Sequence, residues 1–164
     1  MAFPEKAQEM TIKLSDFLRY SLSQDNKQLA SLLEEMRNVG LYMDIEKNRF
    51  GNRLLFEPQV EDACQALLLP NMLLQPLFEN AIKHGVYESL ESVTIRFKVR
   101  KELRNLRITL WNNFDPDGIT PRKGGGIGLS NIRSRLLVLY GREDLLTINQ
   151  TENTYEVSLL IPQF

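Results

Sequence analysis

Residues 70–85 read PNMLLQPLFENAIKHG. Leu73, Leu74, Leu77, Phe78, Ala81 and Ile82 recur at helical spacing and cover most of the helix surface, so the segment is a largely buried helix. Pro70-Asn71 opens it, with Asn71 placed as N-cap, and Gly85 is the expected stop. On this apolar helix Asn80, Lys83 and His84 stand at i, i+3 and i+4 and share one face. An amide oxygen is a good hard ligand for Mg2+, and a lysine beside it neutralises phosphate. Glu79 adjoins the same cluster. A solvated helix edge accounts for these residues equally well when the helix is taken alone.

Outward from this helix the pattern changes period. Val93, Ile95, Phe97 and Val99 alternate over residues 92–100, and Leu106, Ile108 and Leu110 over 103–111, which predicts two half-buried strands joined by a hairpin near 101–105. Residues 112–126 are rich in Asn, Asp, Pro and Gly and predict a long loop. Residues 129–140 predict a helix stopped by Gly141, followed by a hairpin of strands at 145–150 and 154–161. Upstream, residues 53–60 predict a strand, with Pro58 marking an edge position. Earlier still, residues 4–22 and 29–48 carry helical periodicity, broken at 23–26. These two helices suit a packing or dimerising arm, or a cover for their own domain. The order predicts an α+β fold with helices on one face of a mixed or antiparallel sheet.

Composition narrows the function. A chain of 164 residues with 43% apolar residues builds one domain with a real core, here with a helical extension. A net charge of −1 argues against a general nucleic-acid or membrane-surface binder. No apolar run approaches the ~20 residues that span a bilayer, and the N-terminus lacks a secretory pattern. Cys64 is the single cysteine, so there is no internal disulfide and no cysteine-based zinc site; it reads as a small packing residue in a reducing cytoplasm. His84 is the single histidine.

The second chemical feature is Gly124-Gly125-Gly126-Ile127-Gly128-Leu129, just before the 129–140 helix. Glycines let the backbone approach phosphates closely, and the following helix offers free N–H groups to an anion. Taken alone, such a run is also a plain flexible loop. The preceding stretch, 114–123, is long enough for a lid.

Together, in this order, the two features resemble the GHKL superfamily: LQPLFENAIKHG (74–85) is similar to its N-box and GGGIGLSNIRSRLLVLYG (124–141) to its second glycine box. With KLSDFLRYSL (13–22) and LLEEMRNVGLYMDIEKNRFG (32–51), the likeness is closest to LytS-type sensor histidine kinases and covers nearly the whole chain. The resemblance implies a Bergerat-type sandwich at 51–164 preceded by a helical arm at 1–50, a remnant of the dimerisation and phosphotransfer region. It implies ATP and Mg2+ as ligands. Asn80 would hold Mg2+, and Lys83 and His84 would contact phosphates. Gly124, Gly126 and Gly128 would wrap the phosphate tail, Leu129 would pack near the adenine, and Arg135 would support the lid helix. Glu79 would orient a histidine nucleophile.

Three departures qualify the likeness. The adenine-accepting aspartate of the family is replaced by Asn112, a neutral acceptor worth about 1 kcal/mol less. The glycines expected after it are absent, and Phe114 stands in the first such place. Pro76 lies one turn before Asn80, where hydrolytic relatives carry a carboxylate, which favours phosphotransfer over hydrolysis. The acceptor histidine with its Phe-Leu-Phe-Asn motif is absent, so the chain is expected to begin inside the dimerisation region of a membrane-anchored parent. The implied partners are the parent's phosphoacceptor-histidine segment, a response regulator and a second copy of the chain, with no nucleic acid and no direct membrane contact in this cytoplasmic portion. The competing readings are a stand-alone anti-sigma-type serine kinase and a degenerate, non-catalytic nucleotide-binding module.

Overall fold

The computed structural model describes residues 4–23, 27–117 and 126–163. Helix α1 spans Pro4–Ser23 and α2 spans Leu32–Phe50. The two are clipped together by Lys13 Nζ to Asp44 Oδ2 at 2.8 Å and by the stacked rings of Phe17 and Tyr42, 5.9 Å apart. Ser31 and Glu34 form a reciprocal capping box at the start of α2. A three-residue strand, β1 (Leu29–Ser31), pairs antiparallel with β3 (Leu68–Pro70). Neither strand was expected, and Pro70, read as the opening of a helix, belongs to β3.

The main sheet has five strands in the order β2-β4-β5-β7-β6. These are β2 (Leu54–Val60), β4 (Val93–Glu102), β5 (Asn105–Asn113), β6 (Leu146–Gln150) and β7 (Thr154–Pro162). β2 runs parallel to β4 and occupies an edge, where Pro58 leaves no ladder donor missing. The other pairings are antiparallel, so the sheet is mixed. Alternation turns Val93, Ile95, Phe97 and Val99 of β4, Leu106, Ile108 and Leu110 of β5, and Val157, Leu159 and Ile161 of β7 toward the helices. The opposite face carries Arg96, Lys98 and Trp111. Helices on one side of a mixed sheet match the expected fold class.

Helix α3 (Leu74–Ala81) lies in the core, with Leu74, Leu77, Phe78 and Ala81 buried. Phe78 is fully buried, with its ring edge-on to Phe56 and Phe97 at centroid distances of 5.7 and 5.2 Å. Two expectations for this helix change. Its regular turns begin at Leu74, because Met72 adopts a positive φ of 55° and breaks the helix that Asn71 was expected to cap. Gly85 does not stop it, because the chain continues as a π-helical turn over Ile82–Tyr87. Helix α4 spans Gly126–Tyr140, starting three residues earlier than the periodicity predicts. Gly141, at φ 67°, ends it by donating to the Leu137 carbonyl at 2.8 Å. Cys64 is buried and unpaired, as a packing residue should be.

Candidate functional site

The start of α3 is held by a carboxylate from another helix. Glu35 of α2, 2% exposed, accepts from the backbone N–H of Met72 at 2.6 Å and of Leu74 at 3.0 Å. The Leu74 N–H is a free donor of the first helical turn and the Met72 N–H lies just before it, so Glu35 supplies the cap from across the core. Burial pushes its carboxyl above the ordinary range, while those N–H groups and the charge of Arg135 pull it back. Arg135 of α4 donates to the Asn71 carbonyl in the same loop. Three elements, α2, the entry to α3 and α4, therefore meet at one point.

The polar residues at the end of α3 and in the π turn emerge on the opposite side from the core. Glu79 and Lys83 are exposed, and Asn80 and His84 are half-buried. Pro76, one turn before Asn80, faces the first turn of α4: a Cβ built on Gly128 would lie 3.8 Å from Pro76 Cβ. One turn beyond Asn80 the π turn reaches the end of β5, where a Cβ on Gly85 would lie 3.0 Å from Asn112 Nδ2. Asn80 thus lies along the helix between a contact with the start of α4, made by Pro76, and a contact with Asn112, made by Gly85, and Lys83 is exposed one turn after it. Neither the Asn80 nor the Lys83 side chain makes a hydrogen bond or ion pair with another described residue. His84 differs: its Nδ1 lies 3.0 Å from Glu88 Oε1, with the two side chains only 18% and 17% exposed.

The π turn is braced from α2. Arg49 donates to the Tyr87 hydroxyl, and the Tyr87 ring stands edge-on to Phe50 at 4.9 Å. π-helical turns commonly occur at functional positions, because the wider turn re-aims the side chains around it.

Asn112 continues the inward row of Leu106, Ile108 and Leu110 and is 3% exposed. Its Nδ2 donates to the Asn113 carbonyl at 3.0 Å, and its Oδ1 accepts from no described residue. Asn113 ties the strand ends together, accepting from Thr94 N at 2.7 Å and donating to Ser92 O at 3.2 Å. Phe114 is buried, and its N–H donates to Asn153 O at 2.9 Å.

Gly124 and Gly125 lie outside the described residues, as do residues 118–123 of the expected lid. Gly126 and Gly128 belong to the first turn of α4 rather than to a preceding loop, and Leu129 is buried in the core. Glu79 is drawn toward α2: Asn38 Nδ2 donates to Gln75 Oε1 at 3.1 Å, and Gln75 Nε2 donates to Glu79 Oε1 at 2.7 Å. Glu35, Asn38 and Gln75 were missed by the sequence reading. For the two on α2 the sequence carries a partial signal, since Glu35, Asn38 and Glu46 interrupt the buried face formed by Leu32, Val39 and Met43; for Gln75 it carries none.

Chemically, an amide oxygen, an ammonium group and a helix N-terminus around one face suit a phosphate chain with a hard divalent cation. The Asn112 Oδ1 beyond them suits an amino hydrogen.

Known proteins resemble the chain in sequence and in fold. The family model described as Histidine kinase matches residues 1–54. Sensor protein LytS of Staphylococcus epidermidis is 31% identical over 169 residues, covering 96% of this chain and 29% of that protein. The chain thus spans about three-tenths of the length of such relatives. The catalytic domain of histidine kinase ThkA superposes with a TM-score of 0.60 at 19% identity, covering 82% of this chain and 94% of that one. Histidine kinase ThkA solved with the response regulator protein TrrA gives 0.55 at 15% identity, over 96% of this chain and 49% of that one. These two likenesses are of fold. Among the described residues no helix is long and apolar enough to cross a membrane.

Proposed function

We propose that this chain, a homologue of LytS-type sensor histidine kinases with the fold of histidine kinase catalytic domains, is the ATP-binding catalytic portion of such a kinase. The observation that supports the reading is that Asn80 and Lys83 make no hydrogen bond or ion pair with another described residue, on a helix whose Pro76 meets the first turn of α4 and whose continuation meets Asn112 at Gly85. Asn80 would hold Mg2+ through its amide oxygen, and Lys83 would neutralise the phosphates. His84, paired with Glu88, would approach them from the next turn. Gly124, Gly126 and Gly128 would let the backbone close on the phosphate tail, with Leu129 lining the adenine end. Asn112 Oδ1 would accept from the adenine amino group. Bound Mg2+ supplies charge neutralisation for the transferring group.

The acceptor is a histidine on a separate segment of the parent kinase. Its ring nitrogen forms a bond to the γ-phosphorus as the bond to the β-phosphate oxygen breaks, and ADP leaves. Glu79 would orient the histidine through its ring N–H. Pro76 places no carboxylate one turn before Asn80, so nothing there activates water. Residues 1–50 are assigned to the arm, as a remnant of the phosphotransfer region, and 51–164 to the catalytic domain, with the inner face of α2 docked on α3; the Histidine kinase family model matches residues 1–54, which supports the arm's belonging to such a kinase. A response regulator would receive the phosphoryl group downstream, a second copy would pair through the arm, and the whole would sit on the cytoplasmic side of a membrane-anchored parent.

Labelled ATP tests the reading. Incubated with a phosphoacceptor-histidine segment supplied in trans, the chain should transfer label that is lost in acid and retained in base. Acid-stable label on serine, or binding without any transfer, would overturn it in favour of a serine kinase or a non-catalytic module.

A further inference from the structure

The polar chain from α2 to Glu79 is one that packing does not require. Asn38 is 2% exposed, beside apolar Val39 and within two turns of Leu32 and Met43, which are also buried on α2. Its Oδ1 is buried without a hydrogen-bond partner among the described residues, while its Nδ2 donates to Gln75. The polarity of the chain is dictated from its far end. An ionised carboxylate only accepts, so Gln75 must turn its NH2 to Glu79. That leaves the Gln75 carbonyl for Asn38, which must answer with its own NH2. Asn38 is then left with an oxygen that has no donor. A leucine at this position would pack without that cost.

We propose that Gln75 is a positioning residue for Glu79, and that Asn38 on α2 holds Gln75 in the one orientation that serves. The inference rests on the reading of Glu79 as the group that orients the acceptor histidine. An exposed glutamate otherwise spreads over several rotamers. Here a donor one turn below selects one of them, and the donor is itself set by a residue on another helix. The carboxylate's aim therefore depends on α2 being docked on α3.

Three variants test this. Asn38→Leu removes the donor to Gln75 but keeps the packing. Asn38→Asp demands a donor from Gln75, which turns the Gln75 oxygen toward Glu79 and expels the carboxylate. Gln75→Leu removes the link altogether. Each should slow phosphoryl transfer to the segment in trans roughly 10- to 100-fold at saturating MgATP, the cost of a misplaced reacting group. The MgATP dissociation constant should stay within about twofold, because binding geometry is untouched. Asn38→Leu should unfold at no lower urea concentration than the parent. Adding Asn38→Asp to Gln75→Leu should change the rate no further, because the two share one path.

Parent-like transfer in all three variants, or transfer and nucleotide affinity falling in parallel, would overturn the proposal. If the parent chain itself transfers nothing, the reading of Glu79 fails separately. The relay is then decided by the NMR signal of the Glu79 carboxyl carbon. A shift of that signal in Asn38→Leu, across two intervening side chains, supports the relay. An unmoved signal overturns it.

Discussion

Gly85 and Asn112 lie so close together that a side chain on Gly85 would have to displace a neighbour. A Cβ on Gly85 would lie 3.0 Å from Asn112 Nδ2 and 3.2 Å from Val93 Cγ1. The glycine is needed here for space: it lets the π turn lie on the inward end of β5. Gly85→Ala should force Asn112 aside and cost about 1–3 kcal/mol of stability. It should also weaken ATP binding. Gly40, inside α2 with nothing within 4 Å of an added Cβ, is the control. Gly40→Ala should gain about 0.5–1 kcal/mol from helix propensity. Urea unfolding of both variants, with nucleotide titration of the first, checks the pair.

Asn112 is buried and already gives its NH2 to the Asn113 carbonyl. Asn112→Asp would set a carboxylate against that carbonyl, so the free protein should lose on the order of 1–3 kcal/mol. The charge would strengthen the hydrogen bond from an adenine amino group. Thermal melting should therefore show a lower midpoint without nucleotide and a larger upward shift with MgATP than the parent. An equal or smaller shift would remove Asn112 from the adenine pocket.

Glu35 makes the stability depend on pH with a definite sign. Burial raises its carboxyl above the ordinary value of 4.5, so the folded chain holds this proton to higher pH than the unfolded one. Its contribution is greatest below 4.5 and is lost as pH rises through the folded value. Glu35→Gln keeps an acceptor for one of the two N–H groups, Met72 or Leu74, at a cost that does not vary with pH, and abolishes the titration. The unfolding free energy of Glu35→Gln minus that of the parent should therefore rise from pH 4.5 upward, by no more than about 1.4 kcal/mol per pH unit, and then level off. A difference that is constant or falls with pH would contradict the assignment.

Phe78 lies at the centre of an aromatic cluster in the core, fully buried and edge-on to rings from β2 and β4. Phe78→Ala should cost about 3–5 kcal/mol in urea unfolding.

What the sequence revealed, and what it hid, follows from the range of each interaction. The strands carrying Phe97 and Ile108 were legible because one face packs on helices and the other does not, which imposes a period of two. Asn80, Lys83 and Asn112 stood out as polar residues where their neighbours are apolar. β1 and β3 were too short to show a period, and their pairing depends on chain segments that meet only after folding. Asn71 looked like a cap, yet Glu35 of α2 does that work, and no local pattern foretells a donor or acceptor arriving from another helix. Asn38 shows in the sequence as a polar break in an apolar face, but its pairing with Gln75 of α3 is of the same non-local kind. The π turn escaped because Gly85 reads locally as a stop, whereas its lack of a side chain serves contact with β5.

The central claim is that the Asn80 face holds Mg-ATP. Calorimetric titration of the chain with ATP, in Mg2+ and in a chelator, tests it most directly when Asn80→Ala is run beside the parent. The account predicts saturable binding that Mg2+ strengthens in the parent, and loss of that Mg2+ dependence in Asn80→Ala with an unchanged melting temperature. Absence of heat at millimolar nucleotide, or full Mg2+ dependence surviving in Asn80→Ala, would contradict it.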